Sequence, residues 1–171
     1  MPTFRHAKLK ELARVIFITK LAYRIPYKKK TIITKPHEPK DVKDQFLKKE
    51  FFIIVALHND KIVGAVRYKF LKAKSIYLYK LAVLKTFRNN GIGAKLLKAI
   101  EAVAIKKACS KILLNCIQEK KLNDYYKKNG FKVEKIKPYH NHHDVFMFKK
   151  IHLIKELSSL KKLLKNNLTI N

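Results

Sequence analysis

The chain predicts an α/β (α+β) fold: a mixed central sheet of about seven strands with four helices, and a further helix at the C-terminus. Three observations predict it. Seven short runs rich in β-branched and aromatic residues are bounded by turn residues. Between them, apolar residues recur at helical spacing. The pair Gly91 and Gly93 stands where a strand-like run gives way to a helix-like one.

Thr3 to His6 reads as a short first strand. From Lys8 to Tyr23, apolar Leu9, Leu12, Ala13, Ile16, Phe17 and Leu21 recur at helical spacing, and Pro26 ends that helix. Tyr27 to Pro39 holds a lysine run and two prolines and reads as a loop. Pro39 to Glu50 is a second short helix with Val42, Phe46 and Leu47 on one face. Phe51 to Leu57 is nearly continuous in apolar residues, the mark of a strand buried on both faces. His58 to Lys61 makes a turn into a strand from Ile62 to Phe70, and another strand follows from Ile76 to Leu84. Short turns between these three imply an antiparallel meander.

The helix from Ala94 to Lys107 has Leu96, Leu97, Ile100, Val103 and Ala104 as its apolar stripe. Lys111 to Ile117 is the next strand, so strand, helix and strand form a parallel, right-handed crossover unit. Glu119 to Asn129 is a helix closed by Gly130. Phe131 to Lys137 and Asp144 to Lys150 are two last strands joined by the loop 138–143. From Ile151 to Leu164, apolar residues repeat at helical spacing, which makes a helix packed on the domain or a homodimer contact. The chain thus divides into a domain over 1–150 and a helical extension over 151–171.

With 40 Lys and Arg against 12 Asp and Glu in 171 residues, the formal net charge is +28. A surface so basic attracts nucleic acid, a ribosome, acidic protein or a phosphorylated ligand, or else is a solvated lysine coat that binds nothing specific. Cys109 and Cys116 are the only cysteines, and they read as small buried hydrophobes of a cytoplasmic protein. No apolar run approaches the length needed to cross a bilayer, and basic residues interrupt any leader-like segment at the N-terminus.

Arg88-Asn89-Asn90-Gly91-Ile92-Gly93 carries the strongest functional signal. A glycine-rich turn that opens a helix aims several unpaired N–H groups at one point, where the helix dipole is positive. That geometry holds phosphate, so a nucleotide-type ligand with a pyrophosphate is expected. Only one G-x-G occurs, which argues against the dinucleotide loop G-x-G-x-x-G. A turn that merely caps the helix is the plain alternative.

The layout resembles the GCN5-related N-acetyltransferase (GNAT) family from about residue 3 to 150. Arg88-Asn-Asn-Gly91-Ile-Gly93 is similar to that family's acyl-coenzyme A loop, and it follows a strand reading Leu81-Ala82-Val83. Tyr126-Lys-Lys-Asn-Gly130-Phe131 resembles a second family signature, Y-x-K-x-G-F. Phe4-Arg5-His6-Ala7 and Ile62-Val63-Gly64-Ala65 resemble its first- and third-strand patterns.

The resemblance implies an acyl-CoA N-acyltransferase that moves acetyl from acetyl-CoA to a primary amine, with no metal. It implies that amides of Arg88, Asn89, Asn90, Gly91, Ile92, Gly93 and Ala94 hold the pyrophosphate. Leu81, Ala82 and Val83 would line the pantetheine, with Ala82 or Val83 offering an N–H to the thioester oxygen. Tyr126 would be the general acid, and Asn123 would bind a pantetheine amide. The general base stays open among Glu119, Asp124, a water relay and the loop histidines His140, His142 and His143. The run His140-Asn-His-His-Asp144 also admits a metal reading or a plain polar loop. The acceptor is open between a small-molecule or protein amine and an RNA-associated one, aminoacyl-tRNA or a ribosomal protein. A polyanion-binding module without turnover is the remaining alternative.

Overall fold

A computed structural model describes residues 2–23, 38–140 and 142–152. The expected loop from Tyr27 falls, apart from its end at Glu38 and Pro39, outside the described residues. So does the expected C-terminal helix, apart from Ile151 and His152.

Seven strands form one sheet in the order β1-β2-β3-β4-β5-β7-β6. They are β1 (Thr3–His6), β2 (Phe52–His58), β3 (Lys61–Leu71), β4 (Ser75–Val83), β5 (Lys111–Ile117), β6 (Lys132–Tyr139) and β7 (His142–Lys150). The described helices are α1 (Leu12–Tyr23), α2 (Val42–Leu47), α3 (Ile92–Lys106) and α4 (Leu122–Lys128). Only β4 and β5 pair in parallel, through the α3 crossover, and every other neighbour is antiparallel.

The alternation of strand side chains explains two cores, one on each face. In β2, Ile54 and Ala56 pack with α3 and α4 residues, whereas Ile53, Val55 and Leu57 pack with Leu12, Val15 and Ile18 of α1. The unbroken apolar run of β2 therefore reflects burial on both sides.

A bulge in β4 changes that alternation. Tyr79 pairs with Arg67 and Ala82 with Ala65, so Lys80 and Leu81 together oppose Val66. Lys80 takes a left-handed backbone, φ 51°, the conformation that glycine takes in a G1 bulge. Before the bulge, Ile76 and Leu78 face α3; beyond it, Leu81 and Val83 do, and Ala82 turns to α1. The bulge thus re-aims the end of β4 beside the helix it feeds.

The helical expectations shift at their ends: α1 starts at Leu12 after a 3-10 turn over Leu9–Glu11, and α2 spans only Val42–Leu47 of the expected 39–50. α3 begins at Ile92, two residues before Ala94, because Gly91 at φ 71° is its N-cap and buried Ile92 already belongs to the core. The helix expected from Glu119 to Asn129 is broken: a 3-10 turn over Gln118–Lys120 ends at Lys121, whose φ of 52° interrupts the helical ladder before α4.

Candidate active site

β5 leaves one edge open. It pairs with β4 only from Ser75 to Tyr77, opposite Lys111 to Leu113. Beyond Tyr77 the strands diverge, and a cleft of about 950 Å³ opens between Leu81-Ala82-Val83 and Asn115-Cys116-Ile117. Its far end is closed by Arg88, Asn89, Gly91, Ile92, Gly93 and Ala94, and its sides by Tyr125, Tyr126, Tyr139, His142 and Asp144.

The first turn of α3 supplies the polar end of the cleft. The N–H groups of Ile92, Gly93 and Ala94 have no acceptor inside the helix, while Gly91 O already accepts from Lys95 N at 3.0 Å. No acidic residue sits in that first turn to compete for the amides. Gly91 needs glycine for its positive φ. Gly93 needs it for space: a Cβ there would stand 2.5 Å from the Tyr125 hydroxyl. Among the described residues that buried hydroxyl has no hydrogen-bond partner.

Arg88 works on the main chain. Its Nε donates to Val83 O at 3.1 Å and its Nη2 to Ala22 O at 3.4 Å. Those bonds tie the end of β4 to the end of α1 and fix the mouth of the cleft. Leu84 N donates to Val63 O at 2.9 Å. Main-chain groups alternate along an antiparallel ladder, so Val83 turns its N–H and C=O away from β3, toward the side where no strand pairs with it. Ala82 faces β3.

Tyr126 is placed by the end of α4. Phe131 N donates to Tyr126 O at 3.1 Å and Gly130 N to Lys127 O at 2.9 Å, with Gly130 left-handed at φ 84°. This is a left-handed helix cap, whose apolar contact joins the residue before the last turn to the one after the glycine. Here those are Tyr126 and Phe131, with ring centroids 5.8 Å apart. The spacing Tyr-x-x-x-Gly-Phe is thus the sequence form of one cap. Tyr126 is 8% exposed, and burial pushes its phenol well above the usual 10, so it keeps its proton throughout the neutral range.

Tyr125 lines the cleft and packs against the core at once. Asn90 and Asn123 stand outside the cleft wall. Asn90 is exposed, and the Asn123 amide bonds Asp124 at 3.4 Å. On the wall instead is Asn115 of β5, whose Oδ1 accepts from the Tyr77 hydroxyl. Nothing in the local sequence distinguishes Asn115; its role follows from the divergence of the strands.

The candidate bases separate. Glu119 is engaged by His143, through its main-chain N at 3.0 Å and its Nδ1 at 2.8 Å. That contact holds its carboxyl near 2. Asp124 lies in solvent beside Lys127, and His140 is exposed on a left-handed turn. His142 lines the cleft with Asp144, Nε2 to Oδ1 3.5 Å. The Cys116 thiol is buried, and burial followed by the Asp144 charge pushes it up to about 11, which keeps it an inert neutral group. Among the described residues no three of His, Cys, Asp and Glu gather to hold a metal ion, and no helix is long and apolar enough to cross a membrane.

The acetyltransferase (GNAT) family profile matches residues 18–131, more than half of the chain. The chain belongs to the GNAT family. It is 36% identical over 64 residues to the thialysine N-epsilon-acetyltransferase of Bos taurus, a match covering 37% of this chain and 38% of that protein. It is 34% identical over 80 residues to an uncharacterized N-acetyltransferase, YjcF, of Bacillus subtilis, covering 47% of this chain and 55% of that one. These matches span about half or less of either relative. The fold is similar to that of the PaiA N-acetyltransferase of Thermoplasma acidophilum, solved in complex with coenzyme A, at a TM-score of 0.67 and 19% identity, covering 88% of this chain and 99% of that one. The mixed seven-stranded GNAT sheet expected from the sequence is therefore the sheet observed.

Proposed function

We propose that the protein is an N-acetyltransferase that moves acetyl from acetyl-CoA to a primary amine by direct attack in a ternary complex. The observation that carries this reading is the gap between β4 and β5, which ends on the free amides of α3. An extended pantetheine chain fits between two strands that offer main-chain groups, and a pyrophosphate fits a helix N-terminus. Arg88 serves by holding Val83 O rather than by meeting phosphate itself.

Val83 is the better of the two candidate donors for the thioester oxygen, since its N–H lies on the unpaired edge. A fixed donor there stabilises the tetrahedral intermediate, and losing one such donor costs about 3–4 kcal/mol of barrier. The amine nitrogen bonds to the acetyl carbon and the carbon–sulfur bond breaks. Tyr126 then protonates the departing thiolate, and His142, oriented by Asp144, takes the proton from the amine. Burial of Tyr126 keeps its proton in place until a thiolate forms beside it.

Calorimetry with coenzyme A and acetyl-CoA tests the binding half, and release of free coenzyme A across an amine panel tests turnover. Absence of heat with either coenzyme on folded protein would overturn the proposal. The net charge of +28 favours a second reading, in which the acceptor is RNA-associated. Turnover that requires RNA would select it. Salt-sensitive RNA affinity without turnover would select a binding module instead.

A further inference from the structure

We propose that the half of the sheet beyond α1 binds single-stranded nucleic acid, with bases on the rings of Tyr77, Phe146 and Phe148 and phosphates on the lysines around them. This surface is independent of the acetyl-transfer reading above.

The two faces of the sheet are covered unequally. On one face the core under α3 and α4 runs from β2 to β7. On the other, the core under α1 reaches Tyr79 and Ala82 of β4 and takes in no residue of β5, β6 or β7. Strand alternation turns Tyr77, Leu113, Phe146 and Phe148 to that second face, because Ile76, Ile112, Val145 and Met147 beside them are buried under α3 and α4. Among the described residues those four join neither core, and each stays partly exposed.

Register sets them in rows. Lys69, Tyr77, Leu113, Phe148 and Lys132 stand opposite one another across five strands, and Asn115, Phe146 and Lys135 form the next row. Lys111 and Lys150 pair one step before the first row, and Lys137 lies one step past Lys135. These six lysines are exposed, and among the described residues none of them pairs with a carboxylate. The four strands β4 to β7 hold two carboxylates, Glu134 in the β6 bulge and Asp144, which His142 engages. The face is therefore strongly cationic.

Three of the lysines lie over the three rings. Nζ stands 5.8 Å from the ring centre for Lys69 and Tyr77, 5.9 Å for Lys111 and Phe148, and 5.2 Å for Lys135 and Phe146. Cation–π contacts at exposed sites are weak, so a phosphate takes the ammonium at little cost and leaves the ring to a base. An unpaired strand supplies both partners, since every base has a face to stack and every nucleotide carries a phosphate. A duplex keeps its base faces in its own stack. A second copy of this chain would bring like charge against like. An acidic polypeptide would satisfy the lysines and offer the rings no base to stack on. Direction follows from β7: Phe148, Phe146, Asp144 and His142 alternate onto this face in that order, and the last two line the cleft. A strand lying along β7 leads to the mouth of the cleft.

Fluorescence anisotropy on the full chain tests this without turnover. The probe is a labelled single-stranded RNA of mixed sequence and about 12 nucleotides, against a duplex of the same length and a polyglutamate of the same charge. The single strand should bind roughly tenfold or more tightly than either. Phe146→Leu with Phe148→Leu keeps the apolar volume and removes the rings; it should weaken that binding roughly tenfold and leave its salt dependence unchanged. Lys111→Gln, Lys132→Gln and Lys135→Gln together should make the slope of log affinity against log salt shallower by about 2. The same change at Lys98, Lys106 and Lys107, exposed on α3, should leave the slope as it is. The two lysine sets decide the matter should the leucine variant fail to fold. Equal slopes from the two sets overturn the inference, because the charge then acts as a uniform coat. Duplex or polyglutamate binding as tightly as the single strand overturns it too, in favour of another polyanion. No affinity for the single strand overturns it and leaves acetyl transfer standing.

Discussion

The two edges of β5 carry different burdens. Toward β7 it pairs at every residue from Lys111 to Ile117, and the contact contributes Leu114 and Met147 to the core. Toward β4 it pairs over the first three residues and then stops. The closed edge spends its main-chain groups on the fold. On the open edge the Val83 N–H faces no strand, and Val83 O accepts from Arg88. A parallel neighbour makes this feasible: its connection is a whole helix rather than a tight turn, so the strands can diverge while α3 still packs across both.

The comparison can be broken from either side. The largest effect is expected at the open edge: Tyr126→Phe should lower kcat by about 10²–10⁴-fold, with the coenzyme affinity measured by calorimetry nearly unchanged. A kcat equal to wild type across the pH range would remove Tyr126 from the acid role. At the closed edge, Met147→Ala should cost about 2–5 kcal/mol of stability in denaturant titration and leave coenzyme affinity alone once the protein is folded. If affinity falls in step with stability, the two edges are not independent.

Next comes Gly93→Val. Its Cβ would meet the Tyr125 hydroxyl, and overpacking of that kind costs about 1–3 kcal/mol, expected here chiefly as lost coenzyme affinity. Gly91→Val should also block binding: its surroundings are open, so strain at φ 71° and a branched side chain at the proposed phosphate site are the causes. Arg88→Gln frees Val83 O and should weaken coenzyme binding by roughly tenfold, about one charged hydrogen bond.

The smallest effect lies far from both edges. Glu11 caps the turn before α1, accepting from Lys8 N at 2.7 Å and gripping Arg5. The Arg5 bond, then the Lys8 N–H, lower its carboxyl to about 2. A depressed pKa stabilises the fold above the ordinary carboxylate range, and that stabilisation is lost as pH falls toward 2. Glu11→Gln should therefore be slightly less stable near neutrality. Thermal melts of variant and wild type should converge with acid, and a constant gap down to pH 2 would refute the assignment.

Legibility in the sequence followed the kind of atom that makes each feature. β5 and β7 are readable because sequence pattern and burial alternate together, and β2 because its apolar run is buried without a break. The helix cap at Gly130 was readable, and with it the place of Tyr126, because a left-handed cap needs glycine at a fixed spacing. The start of α3 lies two residues before the expected Ala94, since Ile92 between two glycines looks like loop until Gly91 is seen as the cap. The break at Lys121 left no mark, because lysine does not advertise a positive φ. Glu119 was open as a base and proved to be bound to His143, a residue distant in sequence. Phe146 and Phe148, inside an apolar strand, gave no hint of Lys135 and Lys111 over their rings.

By itself the sequence determined the order and type of the elements, the glycine turn at the mouth of α3 and the cap that ends α4, because these are set by local backbone geometry. Only the tertiary structure decided that β4 and β5 part after Tyr77, that Val83 rather than Ala82 faces the gap, that His142 and not Glu119 lines it, and that rings of β4 and β7 meet lysines of β3, β5 and β6 on one face. Those outcomes depend on strand register and on contacts between residues far apart in the chain, and a side chain's type does not encode the distance to a partner that folding brings to it.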